Sequence, residues 1–268
     1  MNSFNLNRFG KTLRWYVSAK SRQLMMWAVG IFVVAFIWEM FRFADQHDVS
    51  FNVLDDMNIM SLAIFIGIST SMTTFNKKTF RSSFLMLPAS NLEKYLSLLA
   101  YVLFILPICM FAAYALGDTL RMAVCAWLYD DIWLSCVTLT LDFLNPNESN
   151  LPLFLLLAFI WSHSLYVLGA TFFRRYSFVV STIVILLLCT SLIAFLTVFV
   201  KNSGMDLYSK IWIDGKYVTQ EVRDMLFLML FVLPFLLLTA FNYWASYRIF
   251  KGFQLVTNKW TNYDIFKR

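Results

Sequence analysis

Six stretches of about twenty residues, each nearly free of charge, dominate the chain: residues 24–43, 57–75, 95–117, 151–173, 177–200 and 225–246. A bilayer core of ~30 Å takes ~20 apolar residues to cross as a helix. Lipid offers no partner to a free backbone N–H or C=O, so runs of this length predict α-helices. A transmembrane barrel would alternate polar and apolar residues, and runs such as 183–188 and 227–238 do not alternate. Composition agrees, with 60% hydrophobic and 14% charged residues, where soluble domains carry roughly 25% charged. That excludes a disordered chain, a collagen, a coiled coil and an ordinary soluble enzyme. The expected fold is all-α: one polytopic domain over residues 1–268 with six transmembrane helices.

Orientation follows from the basic residues. With the N-terminus inside, the inner segments are 1–23, 76–94, 174–176 and 247–268. They hold 16 of the 22 Lys and Arg residues but only Glu93 and Asp264 of the 16 acids. Both termini are therefore expected in the cytoplasm. The net charge of +6 is then a topology signal and implies no nucleic-acid partner. The first apolar run is too long for the core of a secretory leader, and no small-residue cleavage site follows it.

Residues 118–150 do not fit a simple hairpin. They include apolar residues, Trp127 and Trp133 among them, but also Arg121, Asp130 and Asp131. A span here would bury carboxylates at ~2.5–3.5 kcal/mol each. It would also invert every later loop, so 118–150 is expected as an outer-face helical segment. At the other end, residues 2–22 place Phe9, Leu13, Tyr16 and Val17 on one helical face and Lys11, Arg14 and Ser18 on another. Such a basic amphipathic helix lies in the headgroup plane, as an elbow before the first span. Gly10-Lys11-Thr12 is not a phosphate-binding loop. That motif needs Gly five residues before Gly10, where Asn5 stands.

The loop 76–94 carries the most information. It is basic, yet it contains the apolar run Phe84-Leu85-Met86-Leu87. Pro88 disfavours helix at Leu87. Ser90-Asn91-Leu92-Glu93 then fits a capping box, in which Ser90 accepts from the Glu93 N–H and Glu93 reaches back to the Ser90 N–H. The expected order is a short helix, a break at Pro88, and a capped long helix. Placed there, Leu87-Pro88-Ala89-Ser90-x-x-Glu93-Lys94 resembles the cytoplasmic loop after the second span of type-2 ATP-binding-cassette (ABC) transporter permeases. Those proteins also have an elbow helix, six spans and cytoplasmic termini. The resemblance implies an exporter subunit that pairs with a second permease chain, as homodimer or heterodimer. It implies separate cytoplasmic ATPase subunits docked on the loop, with ATP bound there and no cofactor in this chain. Phe80, Phe84, Leu85, Leu87, Pro88, Ser90 and Glu93 become the ATPase-coupling residues.

Within the spans, Ser162, His163 and Ser164 form the candidate intramembrane polar site, which either contacts cargo or bonds to a neighbouring helix. Glu39 and Arg42 are spaced i, i+3 for an ion pair near the outer end of the first span. No acid is expected deep in a span, which speaks against a proton-coupled pump and an intramembrane aspartyl protease. Gly67-x-x-x-Ser71 is a close-packing face, within the chain or between two copies. Cys125 and Cys136 could pair in an oxidising compartment. His47 with Asp130-Asp131 has no spacing that fixes a metal site, so no metal is expected, and no catalytic residue. The expectation is an amphiphile exporter in a bacterial inner membrane. The alternative is a non-transporting sensor or scaffold that binds a cytoplasmic partner; a lipid-modifying enzyme lacks any polar catalytic cluster.

Overall fold

The computed structural model describes residues 4–45, 53–73, 75, 78–129, 135, 137–138, 140, 151–173, 176–203, 212–213, 216–217 and 232–252. Its elements are α1 (Leu6–Asp45), α2 (Val53–Thr73), α3 (Lys78–Leu85), α4 (Asn91–Ala100), a π-turn at Tyr101–Ile105, α5 (Leu106–Tyr129), α6 (Leu151–Phe172), α7 (Ser177–Ser203), β1 (Trp212–Ile213), β2 (Lys216–Tyr217) and α8 (Leu233–Lys251). The two strands pair antiparallel, with Trp212 opposite Tyr217; the other described elements are helical. Among the described residues, three helices are long and apolar enough to cross a membrane, within Leu6–Phe41, Asn91–Leu128 and Leu155–Phe172.

The bundle is organised by one parallel pair. Arg8 meets Glu93, Tyr16 meets Tyr101, Phe32 meets Gly117 and Met40 meets Cys125. The offset is 85 residues at both ends, so α1 runs beside α4 and α5 in constant register. The other helices alternate in direction. Asp56 at the start of α2 meets Tyr114, while Ser71 at its end meets Lys20. Trp161 meets Phe235 and Thr171 meets Ser246, so α6 and α8 are parallel. Tyr166 meets Thr182 across the α6–α7 hairpin. The start of α1, α3, the start of α4 and the end of α8 therefore share one end of the bundle, here the loop end.

Small residues allow the closest approaches. A Cβ on Gly117 would stand 2.9 Å from the Phe32 carbonyl, and one on Gly67 would stand 2.9 Å from Leu106. The Gly67-x-x-x-Ser71 face thus packs within the chain. Gly169 of α6 lies directly against Ser181 of α7.

Several expectations need correction. There is no separate elbow: α1 is continuous across residues 20–24, where Lys20-Ser21-Arg22-Gln23-Leu24 holds no helix breaker. The third helix does not end at Gly117 but continues to Tyr129, so 118–129 is an extension of that helix and not a separate helical segment. Asp118 and Arg121 are both buried there as an i, i+3 pair at 2.7 Å. Pairing lets the helix carry these charges. Acids are buried elsewhere too, namely Glu39 and Asp56. The absence of acids among the helices therefore does not hold, and it no longer argues against proton coupling. The side chain of Arg42 lies outside the described residues, as do His47, Asp130, Asp131 and Cys136. Cys125 is a free, buried thiol.

The exposed surface shows where lipid contact begins. On α1 it is polar at Lys11, Arg14, Ser18 and Arg22, then apolar from Met25 to Phe41. On the third helix, past Leu92 at its start, the exposed residues run from Phe104 to Leu128 and are apolar but for Thr119. Tyr95, Leu98, Tyr101 and Val102, which made 95–117 look like a span, are buried by protein instead. The apolar belt on this helix thus covers about 104–128. By the 85-residue offset it is level with the belt on α1, whereas 24–43 and 95–117 would be staggered by ~20 Å. A belt of exposed Leu, Val, Phe and Trp of this extent marks an integral membrane protein.

The close approach at Gly117 gives a stability test. Gly117→Leu should lower stability by about 1–3 kcal/mol through overpacking. Gly30→Ala on the same pair of helices, where a Cβ meets nothing within 4 Å, should be neutral or slightly stabilising. Thermal unfolding in mild detergent reads both, and equal effects would contradict the register.

Candidate functional site

At the loop end, four helix termini converge and each is closed by a named side chain. Ser90, extended at φ −67° and ψ 157°, caps α4. The Glu93 N–H donates to Ser90 Oγ at 3.3 Å, and the Ser90 N–H donates to Glu93 Oε2 at 2.8 Å. The capping box is therefore formed. Glu93 Oε1 does more: it accepts from the Asn5 N–H at 2.8 Å and from Arg8 Nη2 at 2.9 Å. One carboxylate thus caps α4 and anchors the start of α1. Lys94 Nζ donates to the Leu85 carbonyl at 2.7 Å, closing the end of α3. Lys20 Nζ donates to the Ser71 carbonyl at 2.9 Å, closing the end of α2. A lysine at a helix C-terminus satisfies an orphan acceptor and complements the dipole.

Beneath these charges lies an aromatic cluster. Phe84 packs on Trp15, Tyr16, Phe75 and Phe250 at ring distances of 5.0–6.2 Å. Phe80 packs on Trp15 and Phe75, with the Lys20 ammonium 5.2 Å from its ring. Phe84 is only 1% exposed. Leu85 and Leu87 are half-buried, while Thr79, Ser82, Ser83, Met86 and Pro88 face outward; Met86 is 83% exposed. The two phenylalanines anchor α3 to the bundle, and the outward ridge is small, polar and Met-tipped. Arg8, Asn5, Lys20 and Lys94 were not apparent as partners in the sequence. Only the bias toward cations at helix ends hinted at the two lysines.

The candidate polar site in α6 has a local cause. Leu106 N–H donates to the Tyr101 carbonyl, five residues back, and not to Val102. Pro107 follows and has no N–H. The Val102 carbonyl therefore loses its helical donor. His163 Nε2 lies 3.3 Å from it, and His163 Nδ1 lies 2.9 Å from the Tyr243 hydroxyl. A carbonyl only accepts, so the hydrogen sits on Nε2 and Nδ1 accepts from Tyr243. Ser164 Oγ accepts from Asn242 Nδ2 at 2.9 Å. His163 and Ser164 thus tie α6 to the π-turn and to α8. Ser162 is not part of that bridge; it faces a groove at the far end. Among the described residues, no group of three or more His, Cys, Asp or Glu is placed to hold a metal. No family model, no curated protein and no solved structure matches the chain.

Burial alone would raise the Glu93 carboxyl. The Ser90 N–H, the Arg8 side chain and the Asn5 N–H outweigh it and hold the group at about 2, against an ordinary 4.5. The unfolded chain then takes up the proton first on acidification. The carboxylate's stabilisation is complete above pH 4.5 and is lost as pH falls toward 2. Glu93→Gln should thus be less stable than wild type at neutral pH, with the gap closing in acid. Denaturation midpoints across that range test this; a gap independent of pH would contradict it.

The π-turn gives a second test. His163→Leu leaves the Val102 carbonyl and the Tyr243 hydroxyl unpaired, at about 1–3 kcal/mol. Pro107→Ala returns an N–H to the helix and should reduce that loss. A double-mutant cycle read by thermal unfolding measures the coupling, and strict additivity would sever the link between Pro107 and His163.

Proposed function

We propose that this chain is the transmembrane permease subunit of an ABC-type exporter. It crosses a bacterial inner membrane six times, with both termini in the cytoplasm. It pairs with a second permease chain and moves an amphiphilic substrate. Separate ATPase subunits dock on the loop 76–94, and ATP is hydrolysed there and not in this chain.

The observation that carries the reading is the unit made by α3, the break at 86–90 and the capped α4, tied to α1 through Glu93. Loop chemistry of this kind turns a push on a short helix into movement of a long one. The ridge of Ser82, Ser83, Met86 and Pro88 is the surface offered to a partner. Phe80 and Phe84 pass its displacement to the aromatic cluster. The cluster touches α1, the π-turn and α8 through Tyr16, Tyr101 and Phe250. The π-turn lies near where the exposed apolar belt of this helix begins, and single π-helical turns inside α-helices recur at functional sites. It is the place for the third helix to flex.

Purification under mild detergent tests the proposal. A stoichiometric ATPase with a phosphate-binding loop should accompany the chain and be lost on deleting residues 80–87. Pro88→Ala and Glu93→Ala should each uncouple export from ATP hydrolysis while leaving insertion intact. Normal export by both variants would refute the coupling role. A clean preparation without an ATPase, from cells that express the neighbouring genes, would favour the sensor or scaffold class.

A further inference from the structure

One face of α8 changes character along its length. Leu237, Phe241, Trp244, Arg248 and Lys251 follow one another at alternating spacings of four and three residues, so they share a helical face. All five are exposed. The exposed residues of α8 are apolar as far as Trp244; beyond it they are Arg248 and Lys251. Tyr243, beside Trp244 in the chain, reaches His163 next to the Val102 carbonyl. Trp244 is therefore near the height at which the belt of the third helix begins, where an indole ring suits the membrane–water boundary. The guanidinium carbon of Arg248 lies 4.9 Å from the centre of the Trp244 ring. That ring leans in turn on Phe241, at 5.9 Å. Among the described residues no acid pairs with Arg248, and residues 233–251 contain no Asp or Glu.

We propose that this face of α8 binds one anionic phospholipid. An acyl chain lies along Leu237 and Phe241, the ester region meets the Trp244 indole, and the phosphate sits at Arg248 and Lys251. The order of side chains matches the order of groups in the lipid: apolar, then amphipathic, then cationic. A guanidinium offers its N–H groups as a fork that fits phosphate oxygens. Contact with the ring leaves most of its five donors for that use and holds the charge at one height. Cations in a last helical turn also complement the helix dipole, but that role needs no exposed ring beneath the arginine. A zwitterionic lipid would bring its own ammonium group up to two cations and is disfavoured. Binding here does not depend on ATP-driven export.

The test uses the full chain in a neutral detergent, titrated with palmitoyl-oleoyl phosphatidylglycerol or phosphatidylcholine and read by native mass spectrometry. The two lipids share their acyl chains and differ in net charge. One saturable site should take phosphatidylglycerol about tenfold more tightly than phosphatidylcholine. A cation near a membrane surface contributes roughly fivefold toward anionic lipid, so Arg248→Gln should lower the affinity by about that factor or more. Trp244→Leu keeps the charge and the apolar surface but removes the platform, and should lower it about threefold or more. Arg22→Gln removes an exposed cation of α1 and should leave the site unchanged. The wild-type comparison of the two lipids requires no variant to fold. Equal binding of both lipids, or no saturable site, would overturn the proposal. So would equal losses in Arg22→Gln and Arg248→Gln, or wild-type affinity in Trp244→Leu, since either would reduce the effect to net charge. Displacement of the lipid by millimolar inorganic phosphate would make this a site for free phosphate and overturn the lipid assignment.

Discussion

Glu93 holds the loop end together. Its carboxylate is fully buried and faces the Ser90 N–H, the Asn5 N–H and the Arg8 guanidinium. A buried charge is tolerated only where donors replace its lost water, and here they come from three residues. The first fixes where α4 begins; the other two fix the height of α1 against it. Everything above inherits that choice, because α1 and the third helix keep one register from Arg8–Glu93 to Met40–Cys125. The neighbouring Lys94 repeats the device on the end of α3.

The same economy of partners governs the interior. Pro107 removes a donor, the π-turn shifts another, and His163 replaces what Val102 has lost. In an apolar surrounding an orphan carbonyl costs too much to leave. His163 is thus a structural clasp at the place where the third helix can bend. Asp118 and Arg121 solve the equivalent problem for charge, each supplying the other's partner one turn away.

Much of the loop end was legible in the sequence because its signals are local. Ser90 and Glu93 stand three residues apart, and Pro88 breaks the chain beside them; spacing alone gives the cap and the break. The contacts of Glu93 to Asn5 and Arg8 span 88 and 85 residues, and no local pattern encodes them. Hydropathy also could not separate the buried from the exposed apolar residues of the third helix. Tyr95, Leu98 and Val102 are as apolar as a lipid-facing run, yet they face protein. Composition does not separate the two environments. The merged elbow has a related cause: the amphipathic pattern of residues 9–18 is real, but it describes a helix face, and nothing in residues 20–24 turns the chain. Phe80 and Phe84 were expected as coupling residues on the short helix; that they turn inward depends on Phe75 and on Trp15 and Phe250, the last two far from them in sequence.

The central claim is that the ridge of α3 is a docking surface for an ATPase, held in place by its buried aromatic face. Site-specific photocrosslinking in native membranes tests it most directly. A photoreactive residue at Ser83 should form an adduct with a protein that carries a phosphate-binding loop, whereas the same residue at exposed Leu62 on α2 should not. An adduct at Ser83 only with lipid or with a second copy of this chain would contradict the account.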